Sequence, residues 1–360
     1  NDIHVSTDWE MRLLATDELI FSSYNDTVNM TQIELDPFVN ADDYYVRARY
    51  NGEIITSNWS NQLDFYYNGQ TFALYSTGKD STIKRIDSSG NEIWISSIHT
   101  DRITIVSVDS DGNVYSGAVD STIRKTDIDG NEITSGGWPF TGHTSSTYGI
   151  FDIDTDSNGN VYSASYDNTV KKIDSNGNEV WTFTGHTDNV NGVTVDSNGN
   201  VYSVSSDNIV RKIDVDGNEI TSGGWPFTGH TDYIFGIDID FSNNIYTGSR
   251  DGELKKIDSD ANEIWTVTGL NRINDVAVDS SGNVYSGSGD NTVKKIDSSG
   301  NLVWTFNGHT NDVKAIAVDS NGNVYSGSID DTVKKIDSSG NEVWTFTGHT
   351  DNVNGVAVTG

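Results

Sequence analysis

Six histidines and a large surplus of aspartates are the residues of this 360-residue sequence with the most obvious chemistry to offer. His99, His143, His186, His230, His309 and His349 all fall at one position of a repeated pattern. A general base or a metal ligand is needed once, not once per repeat, so this regularity points to a structural role. Asp154, Asp156 and Asn158 are spaced like the opening of an EF-hand calcium loop. No glutamate follows at the distance of the bidentate ligand, and most equivalent turns lack the full acidic set. A hairpin turn is therefore expected there, with a bound calcium ion as the alternative. The sequence has no cysteine, which removes thiolate chemistry and cysteine-based zinc sites. It also has no nucleophile elbow, phosphate loop or HExxH helix. Carboxylates are numerous enough for a glycosidase pair, but the repeat singles none out. The expectation is a protein without catalytic residues and without a cofactor other than that calcium alternative.

Lys and Arg number 22 against 53 Asp and Glu, a formal charge of -31. Such a surface repels phosphate backbones and anionic membranes, which argues against nucleic acid as a partner. The acidity fits a saline habitat, where salt screens self-repulsion. It equally fits a repeat that needs aspartate for many turns. No run approaches the ~18 apolar residues of a membrane span, so no membrane insertion is expected.

These residues must be positioned by a repeat. Tyr75, Tyr115, Tyr162, Tyr202, Tyr246, Tyr285 and Tyr325 recur in one local context, 39 to 47 residues apart. That period marks a β-propeller. Residues 308–347 show the unit: apolar 313–320, then 323–328, 332–337 and 342–346, four short strands. Alternation fails in the third, where Val333 and Ile336 flank two lysines. Asp-Ser-Asn-Gly-Asn (319–323) and Asp-Ser-Ser-Gly-Asn (337–341) place glycine where a positive φ is needed, with Asp and Asn bonding to the local backbone. The last segment, 353–359, is a first strand without successors, and blade one lacks its first strand. The simplest closure joins the two.

The pattern resembles the WD-repeat family over residues 68–360. The resemblance rests on Gly-His pairs such as Gly185-His186, SGSxDxTV stretches, and an Asp ending the third strand. It implies a hydrogen-bonded network in each blade joining the His, a Ser or Thr, and Asp80, Asp120, Asp167, Asp207, Asp251, Asp290 or Asp330. Ile-Asp or Thr-Asp replaces the family's Trp-Asp, and the aromatic bulk lies instead at Trp94, Trp181, Trp265, Trp304 and Trp344. The stretch KIDSSGNEVW also resembles quinoprotein-type propellers. No basic residue set is placed to hold an acidic quinone. Residues 1–67 do not repeat. His4–Met11, Tyr44–Gly52 and Ser57–Phe65 resemble a partial fibronectin type III domain of phage tail and cell-surface proteins. The expected fold class is all-β: a small sandwich over 1–67, then a seven-bladed propeller of four-stranded antiparallel blades over 68–360. Sequons at Asn25, Asn29 and Asn58 all fall in the first module.

Departures from the repeat mark candidate ligand contacts. Thr134–Phe140 and Thr221–Phe227 carry an inserted TSGG, and Gly269-Leu270-Asn271 replaces a Gly-His-Thr element. Variable loop positions beside the repeat's His and Asp hold Lys79, Arg102, Tyr148, Tyr166, Tyr233, Arg250 and Arg272. These loops are expected to share one face, and tyrosine and arginine are binding-type residues. The opposite face, marked by residues such as Asn200 and Asn323, is expected to be uniform and acidic. The sequence thus suggests a non-enzymatic, extracellular virion protein of tail-fibre or tail-tip type. It would contact a host-surface glycan or protein, with the N-terminal module meeting other virion or surface proteins. A secreted adhesin or surface-layer-associated protein of a salt-adapted prokaryote is the first alternative. A propeller enzyme such as a polysaccharide lyase or hydrolase is the second.

Overall fold

The structure, a computed structural model, describes residues 9–13, 19–23, 44–50, 53–56, 73–144 and 148–359. The chain divides into two compact units, Asn1–Gly69 and Gln70–Gly360. In the first, β1 (Trp9–Leu13) pairs with β2 (Leu19–Ser23) and with β3 (Tyr44–Tyr50), which pairs with β4 (Glu53–Thr56). One antiparallel sheet of order β2-β1-β3-β4 results. A single sheet does not establish the fibronectin-type sandwich, and the sequons at Asn25, Asn29 and Asn58 lie outside the described residues.

The second unit is a ring of seven four-stranded antiparallel sheets. Blade seven shows the plan: strand a Val313–Val318, b Val324–Ser328, c Val333–Ile336 and d Glu342–Phe346. The a strands touch one another in cyclic order and so line the axis. Blade one is built from both ends of the unit. Val353–Val358 pairs with Leu74–Gly78, setting Ala357 opposite Tyr75, so the final strand closes the ring as the sequence required. Seven apolar clusters fill the seven gaps between blades. Between blades six and seven, for example, Tyr285, Val293 and Phe306 meet Val313, Ile316 and Val324. The repeated b-strand tyrosines are fully buried. Truncating any of these large side chains would cost roughly 2–5 kcal/mol.

The Asp-Gly turns form as their chemistry dictates. Asp319 Oδ1 accepts from the Asn321 and Asn323 amides, its Oδ2 accepts from the Tyr325 hydroxyl at 2.9 Å, and Gly322 takes φ +75°. The two cations that break alternation in strand c have separate tasks. Lys334 reaches Glu342 on strand d at 3.1 Å, and Lys335 lies 5.4 Å from the Tyr325 ring centroid. The same division recurs in blades three and five, with Lys171 on Glu179 and Lys172 over Tyr162, and Lys255 on Glu263 and Lys256 over Tyr246.

The aromatic bulk on strand d joins blade to blade. Each indole N–H donates to a carbonyl in the next blade's c–d hairpin: Trp94 to Ile128, Trp181 to Val215, Trp265 to Ser298, Trp304 to Ser338 and Trp344 to Ser88. The TSGG insertions, singled out as departures, turn out to serve this same contact. They carry Trp138 and Trp225 to Ser175 and Ser259, so all seven blades have the latch, at 2.9 to 3.3 Å. Six of the seven hairpins place a glycine at the turn position after the latch, and the one that receives Trp225 places Ala261 there. A Cβ at Gly217, φ +89°, would lie 2.8 Å from Trp181 Cγ.

Candidate functional site

The d–a and b–c loops share one face, and one backbone hydrogen bond per blade fixes them to each other. The amides of Lys79, Val119, Tyr166, Ser206, Arg250, Gly289 and Ile329 donate to the carbonyls of Asn352, Arg102, Gly149, Asn189, Tyr233, Arg272 and Asp312, at 2.8 to 3.1 Å. Variable side chains are therefore displayed from a rigid frame. Six of the seven sequence-predicted positions (Lys79, Arg102, Tyr166, Tyr233, Arg250 and Arg272) belong to these backbone pairs, and Tyr148 precedes Gly149.

Beneath this face lies the polar network that the WD resemblance implied. His186 shows it, with Nδ1 2.9 Å from Asp207 Oδ2 and Nε2 2.8 Å from Ser203 Oγ. An ionised Asp only accepts, so Nδ1 carries the proton and Nε2 accepts from the serine. Six blades repeat this, with Thr247 replacing the serine in blade five. Burial alone would raise the Asp carboxyls. The His and Thr donors outweigh it and hold Asp80, Asp120 and Asp330 well below the usual carboxylate range. The order Ser–His–Asp is that of a hydrolase triad. Here the serines are fully buried within their blades. The one histidine group with metal-ligand geometry among the described residues, His230 with Asp251 and Glu253, is this network again, and Lys255 already neutralises Glu253 at 2.9 Å.

Blade six is the exception. Leu270 stands at the histidine position, and the hydroxyls of Ser286 and Ser288 are left without partners. Leu302 stands where other blades have Glu, so Lys294 turns instead to Asp290 at 2.8 Å. Two departures in one blade thus offset each other.

The structure groups the candidate residues unequally. Arg102 lies 5.3 Å from the Tyr148 ring centroid, and Tyr148 and Tyr166 are 4.8 Å apart. Arg250 lies 5.7 Å from the Tyr233 ring. Arg272 is held by the Asp312 carboxylate and is less free than the sequence suggested. Lys79 pairs with Asp351 at 3.4 Å, both well exposed, a contact of small net energy. Sequence reasoning missed Phe151 and Phe235, which stand 5.8 Å from Tyr166 and 6.4 Å from Tyr233. The signal was present as a phenylalanine where the repeat has Asn, Thr or Lys, at the bulge of strand a.

The calcium alternative fares differently. Asp154 Oδ2 accepts from Val195 and Thr194 of the next blade, whereas Asp156 is consumed by its own turn through Asn158, Asn160 and Tyr162. These groups are not brought onto one ion. Asp154 belongs instead with Asp152, Asp238 and Asp275, a set the sequence reading overlooked. Each sits on an a strand and accepts from a backbone amide of the following blade: Asp152 from Val193, Asp238 from Val278 and Asp275 from Ile316. They stop the inner edge of each neighbour from going unpaired. Removal from bulk water pushes Asp238 and Asp275 up to about 7, with the charges of Asp154 and Asp275 adding to the effect on Asp238.

On the opposite face, Asn200 and Asn323 are turn supports, each giving its side-chain amide to the turn aspartate at 2.8 Å.

Radial four-stranded blades, a buried His–Ser/Thr–Asp network and a ring-wide tryptophan latch define a tandem-repeat β-propeller. Within that class the chain belongs to the family described as outer membrane protein assembly factor BamB, matched over residues 79–220 and 243–359. Residues 217–258 also match the WD domain, G-beta repeat. Among solved structures it is similar to the computationally designed Ika8 protein, at 25% identity and a TM-score of 0.61, covering 79% of this chain and 86% of that one. No curated protein matches the chain.

Proposed function

We propose that the chain is a non-enzymatic binding protein that meets a host surface through its d–a/b–c face, as the receptor-contacting part of a virion tail or fibre. One observation carries the choice of face. Of the 22 Lys and Arg, three precede residue 68 and fourteen form the paired strand-c positions. The five that remain are Lys79, Arg102, Arg250, Arg272 and Lys314. Four occupy the backbone-fixed loop pairs, and Lys314 lies two residues from Asp312 near the same end of strand a. Tyr148, Tyr166, Tyr233, Phe151 and Phe235, the aromatics outside the repeat apart from Phe241 among the described propeller residues, gather there too. Rigid aromatics and forked donors are what recognition surfaces use.

The family match favours a second reading, a scaffold for protein partners in outer membrane assembly. Binding of labelled protein to intact prokaryotic cells separates the two. Saturable binding lost in Tyr233→Ala/Arg250→Gln supports the first. Failure to bind cells, with retention on detergent-solubilised outer-membrane proteins, overturns it. Mass spectrometry of purified virions tests the setting directly.

A further inference from the structure

We infer that the cleft across blades one to three is a subsite for a carboxylate-bearing sugar, an inference that rests on the face assignment above. The cleft is open, about 550 Å³, and lined by Lys79, Ser81, Thr100, Asp101, Arg102, Val119, Tyr148 and Asp351. Its size is that of a small-ligand site. Its lining is hydroxyls, charges and one aromatic ring, with Val119 the single aliphatic residue. A protein anchor side chain needs a dry apolar pocket, which this cleft lacks. A sugar presents hydroxyls at its edge and C–H groups on its face, and this lining suits both.

The charged groups select an acid. Among the described residues, Arg250 and Arg272 each have a carboxylate partner, Asp232 and Asp312. Arg102 has none, and its guanidinium is held over Tyr148. The nearby carboxylate of Asp101 is turned back onto the Arg102 backbone amide at 2.7 Å. Stacking fixes the plane of the guanidinium while its edge stays available, the arrangement that favours a bidentate carboxylate. On the far wall, Lys79 holds Asp351 only through an exposed pair, which an incoming carboxylate can replace. Tyr148 is 41% exposed and continues through Tyr166 to Phe151, an aromatic run along which further sugar rings can stack.

The test titrates the whole chain with trigalacturonate and with its methyl ester, and with 3′-sialyllactose and with its methyl ester, by ligand-observed NMR or calorimetry. At least one acid should bind roughly tenfold or more tightly than its neutral partner, the worth of a good charged pair. Arg102→Gln should remove that preference, and Tyr148→Ala should weaken acid and neutral forms together. Ser197→Ala/Ser320→Ala, at exposed turn positions of the opposite face, should leave sugar binding unchanged, with thermal unfolding confirming that each variant is folded. Equal binding of acid and neutral forms, indifference to Arg102→Gln, or no binding of either acid at millimolar concentration overturns the subsite. If those results come while Tyr233→Ala/Arg250→Gln still abolishes attachment to cells, the subsite falls and the face assignment stands. If no variant on this face alters attachment, the face assignment itself falls.

Discussion

Blade six allows the buried network to be weighed by a change of sign. In blade seven, Ser326 Oγ donates to His309 Nε2 at 2.7 Å, and the serine is fully buried. Ser326→Ala removes that bond and strands a buried nitrogen, at a cost of about 1–3 kcal/mol. In blade six, Ser286 Oγ is equally buried but has no partner, because Leu270 replaces the histidine. Ser286→Ala there discards an unpaid desolvation and should stabilise by about 1 kcal/mol. Leu270→His, combined with Leu302→Glu to draw Lys294 off Asp290, rebuilds the arrangement of the other blades. In that background Ser286→Ala should become destabilising, by about 1–3 kcal/mol. Denaturant midpoints of the four proteins in the cycle measure this, provided the slopes stay constant. The heat signal is smaller, about 2–4 °C per kcal/mol for domains approaching this size. If Ser286→Ala destabilises the natural chain as much as Ser326→Ala does, the orphan assignment is wrong. If the sign does not invert in the rebuilt blade, the histidine is not what the serine lacks.

Three further outcomes are expected. Trp181→Phe keeps the ring but leaves the Val215 carbonyl without its 3.0 Å donor, and should lower stability by about 1–2 kcal/mol in urea unfolding, whereas Phe241→Ser, on a side chain 91% exposed, should change little. Asp238 has its folded-state pKa raised to about 7 against an unfolded value near 4. The native state thus binds a proton that the unfolded chain releases, so this group's support is complete below about pH 4 and is lost as pH rises through 7. The effect of Asp238→Asn on the urea midpoint should therefore be more favourable at pH 8 than at pH 4, and a shift of equal size at both would contradict the linkage. With a formal charge of -31, the thermal midpoint should rise with sodium chloride between about 0.1 and 1 M, and a flat profile would remove the argument for a saline habitat.

Periodic features of this fold were readable because each recurs with one physical purpose. The tyrosine spacing, the Asx turns and the incomplete first and last repeats were enough to give blade number, strand order and ring closure. The buried network followed in six blades from the resemblance at Gly-His and the strand b–c Asp, and failed at Asp290, where Leu270 takes the place of the histidine and Lys294 is the partner. What stayed hidden were contacts between repeats, which have no signature within one. Trp138 and Trp225 were masked by the insertions that deliver them. Asp152, Asp238 and Asp275 sit in otherwise apolar strands and find their partners only once the next blade is placed. Asn323, expected on the uniform acidic face, has a structural task there, since its side chain ties down the aspartate that Tyr325 also uses. Of the face itself, the loop positions were legible from their variability. The pinning of Arg272 by Asp312, forty residues away, was not.

The tryptophan latch always points the same way. Each indole reaches forward to the hairpin of the blade ahead, and Trp344 reaches forward across the seam to Ser88. A contact of this kind joins two unlike surfaces, plug to socket, as in head-to-tail assemblies that close because their rotation sums to a full turn. The propeller is thus a cyclic homo-oligomer whose seven subunits happen to share one polypeptide, and the mixed blade is its splice. A gene that duplicates, deletes or exchanges a whole repeat preserves plug and socket at every new junction and has only curvature to satisfy. The fourteen backbone-fixed display positions travel with those cassettes. New pairings of arginine and tyrosine on the exposed face can then arise by recombination between repeats, without passing through a chain that cannot close.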